Sequence, residues 1–389
     1  MTIKKSIFLI YLFASIFFNC SDEPTSIGSN LIDNDKISLI TINSNDDSLT
    51  QTSSYFHRGD VKLSSSERLL LGRTENLDTA SILIKFETAL ADSLKEDILN
   101  NEVTVTSAIM ELQQTYSFGE QSAFFDFTIH KVTSNWSVGF SEDSLMGLTG
   151  EAENLLVEKG INDSVTSVTL NNQLIMDWLR INADTALSGN NGIYIKPADG
   201  TQKVLGYQAL TSSFIDLPIV KAVIEKPGAY TDTITFISTS DLTVMQGSIP
   251  SVSSENIPLR AGYVIDGRLF FDLSPIPEKA VINKAELILN IDTLETKVGS
   301  SYTNSLQAYF LFDSTNTDSI SSSSITLSRT GNTFIGNITP YVSIWLENNN
   351  HGLRLSPTSA FTGVELFVIK GSDVVTEKPL LKITYTELK

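Results

Sequence analysis

Short runs of apolar residues, many alternating with polar ones and separated by polar turns, carry most of this chain. Ser81-Ile82-Leu83-Ile84-Lys85-Phe86 and Ala108-Ile109-Met110-Glu111-Leu112 read as strands, and Phe125 to His130 alternates cleanly enough to be half buried. Ile37 to Ile42 opens the first half with β-branched residues, as a strand should. Two stretches read as helical. Ala89 to Leu99 places Leu90, Leu94 and Ile98 at helical spacing, and Leu145 to Gly160 sets Glu151, Glu153 and Glu158 towards water. Pro227-Gly228 breaks the pattern and reads as the end of a first domain.

After that break the plan repeats. Trp178-Leu179, Asn191-Gly192-Ile193-Tyr194-Ile195-Lys196-Pro197 and Leu217-Pro218-Ile219-Val220-Lys221 return as Trp345-Leu346, Asn350-His351-Gly352-Leu353-Arg354-Leu355-Ser356-Pro357 and Lys378-Pro379-Leu380-Leu381-Lys382. The offset is 167 residues at the Trp, 160 at the Gly and 161 at the last Pro, a drift that loop-length changes produce. Thr233 to Ile237 matches the opening strand of the first copy, and Leu259-Arg260-Ala261-Gly262 matches Leu69-Leu70-Leu71-Gly72. Phe271-Asp272 stands at the place of Phe86-Glu87. Many short strands with long loops predict an all-β fold of two tandem jelly-roll β-sandwich domains with a few short helices. The expected divisions are a signal peptide at 1–19, a tether at 20–34, and domains at 35–228 and 229–389.

Composition narrows the function. A hydrophobic fraction of 41% and a charged fraction of 19% over 389 residues suit folded domains. The formal net charge of −18 is spread along the chain, which argues against nucleic acid, since phosphate binding needs clustered Lys and Arg. Lys4 and Lys5 precede the largely apolar Ile7 to Phe18, too short to span a bilayer comfortably and shaped like a secretory signal. It ends at Cys20, the single cysteine, so no intramolecular disulfide forms.

A lone cysteine at that place resembles the acylated first residue of a bacterial lipoprotein. Ser21-Asp22-Glu23 resembles the acidic tag that directs Bacteroidota lipoproteins to the outer face of the outer membrane, and Thr25 to Ile32 resembles a group of such lipoproteins. The second copy is similar to the DNRLRE-type jelly-roll domain of bacterial surface proteins. The similarity rests on Arg268 to Leu273, the Pro275 and Pro277 turn, Ile282 to Leu287, Trp345, Asn350 to Gly352, and Pro379 to Leu381. The first copy departs from it at Glu87 and in lacking the Pro turn. These resemblances imply lipidation at Cys20, an outer-membrane partner reached through an acyl anchor, and a likeness to carbohydrate-binding modules without a named ligand.

Candidate chemistry is sparse. His57, His130 and His351 lie in unlike contexts, with no paired metal-ligand spacing, no Gly-x-Ser-x-Gly elbow and no phosphate loop or dinucleotide fingerprint. Calcium would find oxygen ligands in Asn43 to Asp47 or Asn348 to Asn350, though neither follows a loop pattern and polar turns explain both. No cofactor, metal site or catalytic residue is therefore expected. Trp178 and Trp345 occupy equivalent apolar places and read as core. Trp136, in Ser134-Asn135-Trp136-Ser137, has no counterpart. It is the candidate platform for stacking a sugar ring, against the alternative of a loop anchor packed on the sandwich edge. Asp, then Ser or Thr, then Ala, Ile, Leu, Val or Thr occurs ten times and resembles the O-glycosylation acceptor of exported Bacteroidota proteins, against the alternative of ordinary turn-to-strand grammar. The expected function is non-catalytic binding at the cell surface, to a glycan or an envelope protein. A structural subunit of an outer-membrane complex and a glycoside hydrolase with carboxylates from distant strands are the alternatives.

Overall fold

The computed structural model describes residues 37–388, apart from 46–48, 59–65, 75–78, 141–147, 163, 185, 188, 211–216 and 359. Cys20, the expected signal peptide at 1–19 and the expected tether at 20–34 lie outside the described residues. In the first half the strands are β1 (Ile37–Asn43), β2 (Gln51–His57), β3 (Arg68–Arg73), β4 (Thr79–Glu87), β5 (Thr104–Phe118), β6 (Phe127–Lys131), β7 (Leu156–Ile161), β8 (Val165–Leu170), β9 (Ile193–Pro197), β10 (Val204–Gln208) and β11 (Ile219–Lys226). The second half has β12 (Tyr230–Gln246), β13 (Asn256–Arg260), β14 (Ile265–Phe271), β15 (Val281–Asn290), β16 (Ser305–Phe310), β17 (Ile325–Thr330), β18 (Thr333–Asn337), β19 (Leu353–Pro357), β20 (Leu366–Lys370) and β21 (Leu380–Leu388). Among the described residues three short helices accompany them: α1 (Asp92–Leu99), α2 (Asn172–Ala183) and α3 (Thr339–Glu347). The fold is all-β with sandwich-like sheets, as the alternation predicts.

Each half of the chain is a sheet curled round its own core. In the N-terminal unit the order β10-β3-β4-β12-β11-β5 closes on itself, because β5 also pairs with β10; β8 and β7 extend from β5, and β9 and β6 from β4. Alternate residues point inward. Ala108, Met110 and Leu112 of β5 and Val168 and Leu170 of β8 are buried, while Thr104 and Thr106 stay exposed. Trp178 on α2 fills the centre, stacked on Phe86 at 5.8 Å and tilted against Phe236 at 5.6 Å. The C-terminal unit has the order β1-β21-β15-β18-β17-β16-β19-β14-β13-β20 with β2 on β14, and bridges Ile291↔Ile369 and Lys297↔Leu366 join the segment after β15 to β20. Trp345 on α3 stacks on Phe310 in that core. Both repeated tryptophans therefore pack as expected.

The pairing of the opening strands departs from the expected boundary. β1 lies along the last strand of the chain, from Ile37↔Leu388 to Asn43↔Lys382, and β2 along β14, from Phe271↔Gln51 to Ile265↔His57. Both belong to the C-terminal sheet. β12, expected to open the second domain, belongs to the N-terminal sheet, paired first with β11 and then with β4. The two copies thus exchange their opening strands. The reason is local. Pro227-Gly228 sits in a tight turn, with the Ala229 amide donating to the Lys226 carbonyl at 3.0 Å, so β12 folds straight back on β11. That fills the place β1 would have taken, and β1 occupies the equivalent place beside β21.

A second departure concerns Leu145 to Gly160. Of its described part, Leu156–Ile161 is strand β7, in a hairpin with β8. The Asn162 carboxamide oxygen accepts from the Ser164 and Val165 amides at 2.9 and 2.7 Å, and this turn directs the chain into strand pairing. The helix expected over Ala89 to Leu99 is present as α1.

Asp241 on β12 is buried, and its carboxylate accepts from the Leu210 amide at 2.7 Å. Burial pushes this carboxyl up to about 6 from its ordinary 3.8. The folded chain therefore holds a proton that the unfolded chain has released, so the stabilising contribution is full below 3.8 and lost as pH rises to about 6. Asp241→Asn keeps the acceptor and removes the charge. It is expected to raise stability at pH 8 by up to about 2–3 kcal/mol and to change little near pH 4, read by thermal unfolding at both. Equal shifts at the two pH values would contradict this account.

Candidate functional site

Trp136, the candidate sugar platform, is instead a buried anchor, the alternative weighed against it. Trp136 is 2% exposed, and its indole Nε1 donates to the Asn191 carbonyl at 2.8 Å. Lys85 Nζ lies 4.7 Å from the indole ring and donates to the Trp136 carbonyl at 2.8 Å. With Leu83, Val132, Leu242 and Val244 it forms a second apolar layer on the outer face of β4 and β12. A ring with so much area to hide packs against available apolar strands rather than standing in water. Trp136→Ala is therefore expected to cost about 3–5 kcal/mol in urea unfolding. A loss below 1 kcal/mol would argue that the ring is not buried in solution.

Register shows what stands opposite in the C-terminal unit. Leu83↔Tyr194 of β4 and β9 corresponds to Arg268↔Arg354 of β14 and β19. There the outer face is charged: Asp266, wholly buried, lies 3.4 Å from Arg58 Nη1 and 3.5 Å from Arg354 Nε. Desolvation raises the Asp266 carboxyl above its ordinary value, opposed by the two guanidiniums. An ion triad this deep fixes the geometry of the face and offers no open site.

The histidines are dispersed. His57 stacks on Tyr263 at 3.8 Å, His130 meets the Glu153 carbonyl and the Thr128 hydroxyl at 3.0 and 2.9 Å, and the His351 carbonyl accepts from Arg268. Among the described residues no group of three or more His, Cys, Asp or Glu side chains gathers as a metal site would. The repeated turn is structural in both copies. Asn190 accepts from the Gly192 amide and donates to the Phe86 carbonyl, just as Asn350 does with Gly352 and Phe271. The shared asparagine is thus Asn190 rather than Asn191, and His351 is the counterpart of Asn191. Asn45 and Asn43 likewise form a turn, the amide of one meeting the carboxamide of the other at 3.0 Å. Of the ten Asp-Ser/Thr hydroxyls, Ser48, Ser144 and Thr185 lie outside the described residues. Ser93, Ser164, Thr233, Thr293 and Ser314 are exposed, and Thr79 and Ser319 half-buried.

What the repeat pattern did not disclose lies between the units. Tyr116 from β5 is buried at their junction, where its hydroxyl accepts from the Val364 amide at 3.2 Å and Arg68 sits over its ring at 5.1 Å. Arg68 also donates to the Ser301 and Thr362 carbonyls, both at 3.0 Å, and Ser117 and Ser300 exchange backbone and hydroxyl hydrogen bonds. Leu70, Val204 and Met245 pack with Val364 beside them. These contacts join β3 and β5 of the N-terminal sheet to loops of the C-terminal unit. Next to them a cleft of about 960 Å³ opens. Arg73, Phe118 and Gln202 line it from the N-terminal unit, and Arg260, Lys297 and Leu366 from the C-terminal unit. Arg260 is 2% exposed, donates to the Ser248 carbonyl at 3.3 Å, and is lowered to about 10 by desolvation. Arg73 reaches the exposed Asp199 at 3.5 Å, while its buried Nε meets no hydrogen-bond acceptor among the described residues. Two further cavities are smaller, about 460 Å³ beside Trp345 and about 260 Å³ beside His130.

No protein-family model matches the chain, and no curated protein matches it.

Proposed function

We propose that this chain is a non-catalytic binding protein of the bacterial outer surface, exported by its leader, acylated at Cys20, and binding a glycan between its two β units. One observation carries the binding half. The only large cleft among the cavities described above is walled by residues from both units, of a volume suited to a small ligand or a short run of sugar units. The surface half is supported by Lys4-Lys5, the apolar Ile7 to Phe18, Cys20 and the acidic Ser21-Asp22-Glu23. The resemblance to DNRLRE-type surface domains, themselves similar to carbohydrate-binding modules, agrees with both halves.

The test is a glycan array probed with the soluble region Ser21 to Lys389 and with its Ser122→Trp variant. Ser122 is exposed at the cleft, so a large ring there obstructs it without entering either core. Specific binding by the parent that the variant abolishes supports the reading. A blank array sinks it in favour of a protein partner, and binding indifferent to Ser122→Trp moves the site elsewhere.

A further inference from the structure

We infer that the ligand of the cleft between the units is an acidic sugar, a polyhydroxylated carboxylate such as a hexuronate; this rests on the glycan reading above. The protein carries a net charge of −18, yet Arg73, Arg260 and Lys297 converge on this one cleft with Glu120 as the single carboxylate in its described lining. A cationic recess in an acidic surface concentrates anions there and repels them elsewhere. Arg260 keeps its charge at neutral pH even after desolvation, and a buried guanidinium facing a cleft is a strong, planar partner for a carboxylate. Arg73 adds a second guanidinium from the opposite unit, so an anion held by both would also hold the units together.

The remaining wall explains why a sugar acid fits better than a bare anion. Ser122 and Gln202 supply a hydroxyl and a carboxamide, and Phe118 supplies an apolar surface for a sugar's C–H face. Gly119 and Gly200, with φ of 97° and 86°, bring bare backbone to the same wall. A carboxylate alone would use only the cations. A pyranose carrying one uses the whole surface. The same chemistry is offered by a free hexuronate and by a uronate within a polysaccharide, and the cleft's volume exceeds what one ring needs.

The experiment measures binding of galacturonate, tri-galacturonate, oligo-mannuronate and hyaluronate oligosaccharides, with the carboxyl-reduced neutral form of each, to the region Ser21 to Lys389 by calorimetry. The expected result is binding of at least one acidic oligosaccharide, a loss of tenfold or more with Arg73→Glu and with Lys297→Glu, and no binding of its reduced form. Affinity is also expected to fall severalfold between 50 and 300 mM salt, as screening of a cationic site requires. Far-ultraviolet circular dichroism of each variant, unchanged, shows that the charge reversal has not unfolded it. Free galacturonate binding as tightly as the trimer assigns the site to a monosaccharide, and a trimer advantage assigns it to a chain. Neutral oligosaccharides binding equally well, insensitive to charge reversal but blocked by Ser122→Trp, would overturn the acidic inference and leave the glycan reading standing. Failure of every acidic and neutral sugar overturns both.

Discussion

A chain that begins at residue 58 is expected to lose its C-terminal sheet and keep its N-terminal one. The deleted strands β1 and β2 precede the N-terminal unit in sequence but cover β21 and β14 in space, with seven registered pairs each. Between them Leu49, 2% exposed, enters the C-terminal core, and Ile40 and Ile42 pack against it. Removing the pair strips that apolar cover and opens the edges of two strands whose amides and carbonyls β1 and β2 had satisfied. Losing one buried Leu alone costs about 2–5 kcal/mol, and the sum here is of the order of a whole domain's stability. The N-terminal unit keeps its own cover, β12, and its core of Trp178, Phe86 and Phe236. Hydrogen exchange read strand by strand checks this. Amides of β14 and β21 should exchange freely while those of β4 and β11 stay protected. The opposite pattern would mean that β1 and β2 serve the unit they precede.

The second large effect is expected at Gly192. Its φ is 76°, and a Cβ there would lie 2.0 Å from the Ile84 carbonyl oxygen. That oxygen belongs to β4, where Ile84 pairs with Ile193, so it cannot yield without opening the ladder. Gly192→Ala therefore adds a clash with fixed backbone to the left-handed cost, and a loss of about 3–5 kcal/mol is expected. Gly352, with φ of 86° and a Cβ that would sit 2.5 Å from the Leu269 oxygen, should behave alike in the other unit. Gly228 is the control. Its φ is 74° but nothing lies within 4 Å, so Gly228→Ala should cost only about 1–2 kcal/mol. Urea unfolding of the three variants decides the matter, and equal losses at Gly192 and Gly228 would refute the packing argument.

The fold was legible where alternation and repetition speak. Trp178 and Trp345 read as core, and both are buried, since an apolar helix face beside paired strands leaves them nowhere else to go. The destination of β1 was not legible. Ile37 to Ile42 and Thr233 to Ile237 share one pattern, and pattern sets which face a strand buries, not which of two equivalent edges it joins. Helix α3 carried a signal that was available, Pro340 in its first turn, but the surrounding Tyr341, Val342 and Ile344 suit a strand equally well. Trp136 stood open between platform and anchor because its sequence neighbours are polar while its spatial neighbours, Leu83 and Val244, come from distant strands. The cleft was illegible for the same reason. Arg73, Arg260 and Lys297 are scattered through the chain and only the docking of two sheets gathers them.

Thr41 and Thr384, hydrogen-bonded side by side on β1 and β21, are 343 positions apart. In a chain that emerges from its N-terminus, β1, the first of the described strands to appear, is thus among the last to find its place. The N-terminal unit has every described strand of its sheet once Gln246 has emerged, whereas β2 must wait for β14 and β1 for β21. Pairings so distant in sequence form slowly, and an unpaired strand is exposed to misassembly in the interval. Completion of the C-terminal sheet is therefore a check on the finished chain: a polypeptide cut short after Gln246 carries one complete unit and two strands at its beginning with nothing to close upon.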